Sequence, residues 1–146
     1  MNLAIRPVTA SDSAEWLRMR ELLWPGDGHA PEIAAYFDAE SRAGVTLVAA
    51  RPRGGLGGFV EVEIRSYAED CETSPVPYIE GWYVDEDLRR AGVGRALVDA
   101  AIQWARDAGF TEIGSDTLAD NAVSIAAHLA LGFEKTAELV TFRRSL

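Results

Sequence analysis

The pattern of apolar and polar positions changes character along the chain. Residues 3–8 read as a first strand. Thr9-Ala-Ser-Asp then offers cap residues to a helix in which Trp16, Met19, Leu22 and Leu23 recur at roughly helical spacing. Pro25-Gly26-Asp27-Gly28 ends that helix. A second helix is predicted from residue 31 to about 42, with Pro31 at the start, where its missing N–H does no harm, and Gly44 beyond the end. Strands follow. Residues 45–50 are a compact apolar run, 58–65 alternate, and 77–84 are aromatic and β-branched; together they predict an antiparallel meander with 52–57 as its first hairpin loop. The period then lengthens again. A helix is expected over about 92–108 with Gly109 as its stop, a short strand over 112–115, a helix over 121–131 stopped by Gly132, and a last strand over 139–143. The order β-α-α-β-β-β-α-β-α-β describes an α/β fold built on a mixed sheet. No repeat, low-complexity tract or Pro/Ser-rich linker interrupts it, so residues 1–146 are expected to form a single domain.

Composition narrows the function classes. With 146 residues, 48% of them hydrophobic, the chain is long enough to bury a core without disulfides or a structural metal. Cys71 is the only cysteine, which rules out an intrachain disulfide and suits a reducing cytoplasm; His29 and His128 stand far apart, so no metal site is expected. No run approaches the roughly 20 apolar residues of a membrane span, and the N-terminus lacks the order of a signal peptide. Fourteen Lys and Arg against twenty-three Asp and Glu give a formal charge of −9. Such a field repels nucleic acid and acidic membranes and attracts cations, a polycationic small molecule among them, although an ordinary acidic protein has the same balance.

The stretch 84–95, Val-Asp-Glu-Asp-Leu-Arg-Arg-Ala-Gly-Val-Gly-Arg, joins a predicted strand to a predicted helix and places its glycines where the helix begins. Glycines let backbone approach a ligand closely. The amides of a first helical turn point outward with the positive end of the helix dipole, and Arg89, Arg90 and Arg95 add full charges, so a pyrophosphate suits this loop. No Gly-Lys-Ser/Thr follows and the glycine spacing is not Gly-x-Gly-x-x-Gly, which argues against mononucleotide P-loops and dinucleotide folds.

Arg89-x-x-Gly92-x-Gly94 after an aromatic strand resembles the cofactor signature of the GNAT superfamily of acetyl-CoA-dependent N-acetyltransferases, and Asn121-x-x-Ser124 through Leu131-Gly132-Phe133 resembles its second motif. Leu23-Trp24-Pro25, Thr73-Ser74-Pro75-Val76, Glu80-Gly81, Ser115-Asp116-Thr117 and His128-x-Ala130-Leu131-Gly132-Phe133 are similar to the aminoglycoside 6'-N-acetyltransferases within it. The resemblance implies a GNAT-type domain, a mostly antiparallel sheet flanked by helices, in which the strand ending at Val84 and the strand near Ser115 splay apart to admit acetyl-CoA. It implies that Trp82, Tyr83 and Val84 pair their backbone with the pantetheine arm. The amides of Arg89, Arg90, Ala91, Gly92, Val93 and Gly94 would hold the pyrophosphate, and Asn121 would lie near the pantetheine while capping its helix. Gly81 is a candidate for a bulge.

An alkylammonium with a pKa near 10.4 leaves roughly one amine in a thousand unprotonated at pH 7, so attack on a thioester requires removal of a proton. Glu80, on the strand along the acyl end of the cofactor, is the first candidate for that task, directly or through a water. Asp116, which follows a short strand at the carboxyl end of the sheet, is implied as an amine-binding carboxylate that shares the base role. The superfamily's usual tyrosine acid, seven positions after the motif asparagine, is replaced by His128, which leaves His128, water or direct thiolate release to deal with the CoA thiolate. Trp24 and Tyr67 are similar to aromatic walls of the aminoglycoside pocket. Glu69, Asp70 and Glu72 beside Tyr67 suit a substrate with several ammonium groups. Glu138 lies near the position, matched by Ala137, where similar enzymes keep a substrate-facing carboxylate.

The resemblance thus points to transfer of acetyl from acetyl-CoA to the 6'-amine of aminoglycosides by a homodimer. Two other readings stay open: a GNAT enzyme for a polyamine or another cellular amine, and a CoA-binding dimerisation module without turnover.

Overall fold

The alternation over residues 45–84 produces the centre of the fold. In the computed structural model, which describes residues 3–146, β2 (Val45–Ala50), β3 (Leu56–Arg65) and β4 (Val76–Val84) form an antiparallel meander. β1 (Ala4–Pro7) pairs antiparallel with β2, and β5 (Gly114–Ser115) joins β4 in parallel, giving the order β1-β2-β3-β4-β5. The chain divides into two compact units, Met1–Ser115 and Asp116–Leu146.

The first unit holds the sheet and three helices, α1 (Ser13–Leu23), α2 (His29–Asp38) and α3 (Val93–Asp107). Trp16, Met19 and Ile33 bring the apolar faces of α1 and α2 down onto Val48, Leu56 and Phe59. α3 takes the other face. Its Leu97 sits where a Cβ on Gly58 would fall 3.0 Å away, and Gly58 and Phe59, as strand neighbours, point to opposite sides. In the second unit α4 (Ala122–Ala130) begins at Asn121, whose side chain accepts from the Ser124 amide at 3.1 Å, and ends in a turn where the Phe133 amide donates to the His128 carbonyl.

Three elements differ from expectation. α2 runs over His29–Asp38 and stops short of residue 42: Ala39 turns extended, and Arg42 comes back to donate to the Tyr36 carbonyl at 2.7 Å with its guanidinium 4.1 Å over the Tyr36 ring. The last strand is absent. Residues 139–143 form no strand and pair with none among the described residues, and Leu139, Val140 and Phe142 are 67%, 78% and 92% exposed. A strand pattern needs a neighbouring strand to complete its hydrogen bonds. The short strand expected over 112–115 is also reduced, to Gly114–Ser115.

β4 carries one residue more than its partner. Glu61 faces Gly81 and Val62 faces Ile79, so Glu80 is the extra residue of a β-bulge. Over this bulge lies Trp24, at the C-terminal end of α1, so close that a Cβ on Gly81 would fall 2.4 Å from its Cη2. The ring cannot give way easily. His29 stacks beside it at 6.2 Å, Phe59 meets it edge-on at 6.4 Å, and the Arg20 guanidinium lies 5.2 Å from its centroid.

At the other edge of the sheet Arg6 grips the Asp12 carboxylate with two hydrogen bonds of 2.7 and 3.0 Å, and the Thr9 amide adds a third of 2.8 Å. Arg6 first, and Thr9 after it, hold the Asp12 carboxyl at about 2, against an ordinary 3.8. Because the folded value is the lower one, this stabilisation is complete above about pH 4 and is lost as pH falls through about 2.

Gly81→Ala is expected to destabilise the protein by about 1–3 kcal/mol in urea denaturation, and by clearly less in a Trp24→Ala background; equal effects in both would show that the ring is not what a Cβ meets. Asp12→Asn is expected to flatten the fall of stability between pH 4 and 2, measured by denaturation midpoints across that window, and a curve parallel to the parent's would refute the Asp12 assignment.

Candidate active site

The parallel pairing of β4 with β5 lasts for two residues, Tyr78 with Gly114 and Ile79 with Ser115. Beyond Ile79, β4 runs on from Glu80 to Val84 with β3 as its sheet partner, while β5 ends at Ser115, so the parallel pairing stops at the bulge. An extended amide-bearing arm would add along the side of this stretch away from β3. The expected pairing of the strand ending at Val84 with the strand near Ser115 is present over those two positions, and Glu80 is the first residue past it.

Both Glu80 oxygens are engaged by Arg65, Nε to Oε2 at 2.7 Å and Nη2 to Oε1 at 2.6 Å. The Arg65 guanidinium carbon stands 3.6 Å from the centroid of the Tyr78 ring. Glu63, two residues from both Glu61 and Arg65 on the same face of β3, has its carboxyl pushed up by partial burial and then by the Glu80 charge. Glu61, next on that face, is 6% exposed; it accepts from Arg20 at 2.9 and 3.2 Å and from the Trp16 indole at 3.1 Å. Burial pushes the Glu61 carboxyl up against the pull of Arg20. Arg20 also reaches Glu32 at 2.8 Å while lying beneath Trp24, so the aromatic wall over the bulge rests on a buried ion pair.

At the far end of β4, Gly92 starts α3 with a left-handed backbone, φ +83°, and Arg90 shares that conformation at φ +65°. A side-chain-bearing residue held there is uncommon and marks a constrained turn, in which the Arg89 and Ala91 amides donate to the Glu86 and Leu88 carbonyls, each at 3.3 Å. The first helical bond runs from Ala96 to the Gly92 carbonyl, so the amides of Val93 and Gly94 precede it. A Cβ on Gly92 would meet nothing within 4 Å, so the space before the turn is open. Gly94 serves packing instead, with Trp82 Cζ2 3.2 Å from where its Cβ would be.

Asp85 anchors this loop. It is buried, its amide donates to the Gly57 carbonyl at 2.8 Å, and its carboxylate accepts from Arg18 at 2.9 and 3.0 Å and from Arg51 at 2.9 Å. Burial opposes the charge, but Arg18 and Arg51 hold the carboxyl below its ordinary value. Arg51 also clasps Asp87 at 2.8 and 2.9 Å, and Arg89 Nε donates to the Val84 carbonyl at 3.0 Å. A cleft of about 720 Å³ lies between Arg18 and Leu22 of α1 and Tyr83, Asp85 and Arg89. Glu80 and Trp24 are not among its lining residues, so it belongs to the loop and not to the bulge.

In the second unit Asp116 directly follows β5 and stands five residues before the cap of α4, so it is not the capping residue; Asn121 is. His128 Nδ1 lies 2.7 Å from the Ser124 carbonyl, which makes Nδ1 the protonated nitrogen, and its ring meets Phe133 edge-on at 5.3 Å. Glu138 is ion-paired with Lys135 at 2.6 Å, which lowers its carboxyl. Tyr67, in the first unit, is 68% exposed on its loop and donates to Glu69 at 3.0 Å.

The fold therefore brings Trp24, Glu80 and the strand stretch Trp82, Tyr83 and Val84 to one region of the first unit, with the glycine turn before α3 at the end of the same strand. It leaves Tyr67 on an exposed loop. Asp116, Asn121, His128 and Glu138 lie in the second unit. Sequence reasoning missed Arg65, Glu63, Arg20, Glu61 and Asp85. The run Glu61-x-Glu63-x-Arg65 carried a usable signal: three charges at period two on a strand that buries its neighbours share one face.

Residues 14–133 match the acetyltransferase (GNAT) family. The chain is 48% identical to aminoglycoside N(6')-acetyltransferase type 1 of Klebsiella aerogenes, covering 97% of this chain and 96% of that one, and 41% identical to the protein of that name from Stenotrophomonas maltophilia, covering 97% and 93%. Among solved structures it is similar to AAC(6')-Iy in complex with the bisubstrate analogue CoA-S-monomethyl-acetylneamine, with a TM-score of 0.90 and 30% identity over 100% of both chains. It is also similar to AAC(6')-Ih from Acinetobacter baumannii, with a TM-score of 0.88 and 33% identity over 99% of each. A strand pairing that stops at a bulge, a basic glycine turn at the end of the same strand and a match across 14–133 agree: the chain belongs to the acetyltransferase (GNAT) family.

Proposed function

We propose that this protein is an aminoglycoside 6'-N-acetyltransferase, which moves an acetyl group from acetyl-CoA to the 6'-amine of aminoglycoside antibiotics and so confers resistance. The observation that carries the chemistry is the position of Glu80, the bulge residue at the fork of β4 and β5. The 6'-amine of aminoglycosides enters through the likeness to relatives named for it, up to 48% identical over nearly the whole chain. The charge of −9 suits a substrate with several ammonium groups.

Bound acetyl-CoA supplies the activated acyl group. Trp82, Tyr83 and Val84 lie along β4 where the pantetheine arm would pair, and the turn from Arg89 to Gly94 would offer arginine charge and the amides of Arg90, Gly92, Val93 and Gly94 to its pyrophosphate, those of Arg89 and Ala91 being given to the Glu86 and Leu88 carbonyls. Glu80 receives the ammonium proton. Arg65 takes one lone-pair direction on each of its oxygens, and each oxygen keeps another for an ammonium or a water. Trp24 presents a ring face against which a sugar and its cations pack. The resemblance assigns Asp116 and Tyr67 to the amine substrate with Glu138 beside them, and Asn121 to the pantetheine. His128 is the candidate that protonates the CoA thiolate, and it can do so only when doubly protonated, because its Nδ1 hydrogen is given to the Ser124 carbonyl.

The same reading treats the two units as one acetyltransferase domain, supported by a family match that runs across residue 115. It places the protein in the cytoplasm, where acetyl-CoA is available and a single cysteine suits the redox state. It makes the protein a homodimer, for which the exposed Leu139, Val140, Phe142 and Leu146 supply an apolar surface.

Release of CoA thiol from acetyl-CoA is expected to be fast with an aminoglycoside bearing a 6'-amine and near background with a 6'-hydroxyl aminoglycoside or a linear polyamine. Preference for the polyamine would move the substrate to another amine, and no release with any of the three would leave only a CoA-binding module. Light scattering on the purified chain is expected to give twice the single-chain mass; the mass of one chain would contradict the dimer.

A further inference from the structure

We propose that Arg65 is a positioning residue for Glu80, fixing the bulge carboxylate at the fork of β4 and β5. The inference rests on the reading of Glu80 as the amine-handling carboxylate. A bulge residue has no partner across the ladder to hold it, and a glutamate has three side-chain torsions to set. Arg65 sets them with a fork: two parallel hydrogen bonds of 2.7 and 2.6 Å from Nε and Nη2 match the planar carboxylate.

Arg65 is itself held in place. Its guanidinium lies 3.6 Å from the centroid of the Tyr78 ring, and that ring is pressed against β5, where a Cβ on Gly114 would fall 2.7 Å from Tyr78 Cδ1. Tyr78 pairs with Gly114 in the stretch just before the strands part. The order of contact is therefore β5, Tyr78, Arg65, Glu80, so the carboxylate is referenced to both strands at the point where their pairing ends. Both partners of the pair are partly exposed, with side-chain exposures of 38% and 28%, and such a pair adds little to stability. Its place at the bulge is explained by orientation. The competing account makes Arg65 a stand-in cation that the substrate's ammonium displaces, and the two predict opposite kinetics.

The test uses the full chain with Arg65→Ala, Arg65→Lys, Glu80→Gln and the Arg65→Ala/Glu80→Gln double variant, assayed by CoA-thiol release with a 6'-amino aminoglycoside. Arg65→Ala is expected to lower kcat about 10- to 100-fold with the acetyl-CoA KM and Tm unchanged, because small misplacement of a reacting group is costly. Arg65→Lys, with one point donor in place of a fork, is expected to recover part of the loss, and millimolar methylguanidinium is expected to restore part of kcat to Arg65→Ala. In the Glu80→Gln background, Arg65→Ala is expected to add nothing further. Parental kcat in Arg65→Ala, a lowered amine KM with kcat kept, or full additivity with Glu80→Gln would each overturn the proposal. If Arg65→Ala does not fold, Arg65→Gln takes its place with the same expectations. Glu80→Gln at the parental rate would instead sink the reading of Glu80, whatever Arg65 does.

Discussion

Glu61 faces Gly81 and Val62 faces Ile79, so β4 contains one residue that β3 does not answer, and the chemistry at this end of the molecule is built around that surplus. The extra residue follows directly on the two positions of β4 that pair with β5. It turns a glutamate out at the fork. It also puts a glycine where Trp24 descends onto the strand, a contact that no other residue type permits without moving the ring. The end of the β5 pairing, the carboxylate and the aromatic wall meet at one register shift.

Charge is organised around the same strand. At its start Arg65 bridges Glu80 and the Tyr78 ring; at its middle the buried Glu61–Arg20 pair supports Trp24; at its end Arg18 and Arg51 converge on Asp85 before the phosphate loop. Partly exposed pairs such as Arg65–Glu80 add little to stability, and the buried Glu61–Arg20 pair adds little net stability but breaks badly when one partner is removed. Their value here is geometric. Each fixes a side chain or loop that would otherwise be held by flexible contacts, and each arginine is used as a fork and not as a point charge.

Much of this was legible in the sequence. Period-two alternation over residues 58–65 and the aromatic run into Val84 gave the meander. The glycines at 92, 109 and 132 marked the starts and stops of helices. The last strand was misread because alternation at Leu139 to Arg143 describes a strand's faces and says nothing of whether a neighbour exists to pair with it. The end of α2 was misread because Arg42, folding back onto the Tyr36 carbonyl, looks like a helical residue until its partner is known. Arg65, Glu63 and Arg20 escaped for a related reason. Their roles depend on which residue lies across the ladder or above the sheet, and a single bulge decides that.

The central claim is that acetyl-CoA lies along the forked edge of β4 and presents its acyl group to an amine held at Glu80. A crystal structure of this chain with a CoA–aminoglycoside bisubstrate analogue tests it most directly. The account predicts the pyrophosphate against the amides between Arg89 and Gly94, the pantetheine arm paired with Trp82 to Val84, and the 6'-nitrogen within hydrogen-bond distance of the Glu80 carboxylate or of a water bound to it. An analogue bound elsewhere, or one seated in the slot with its 6'-nitrogen remote from Glu80, would contradict it.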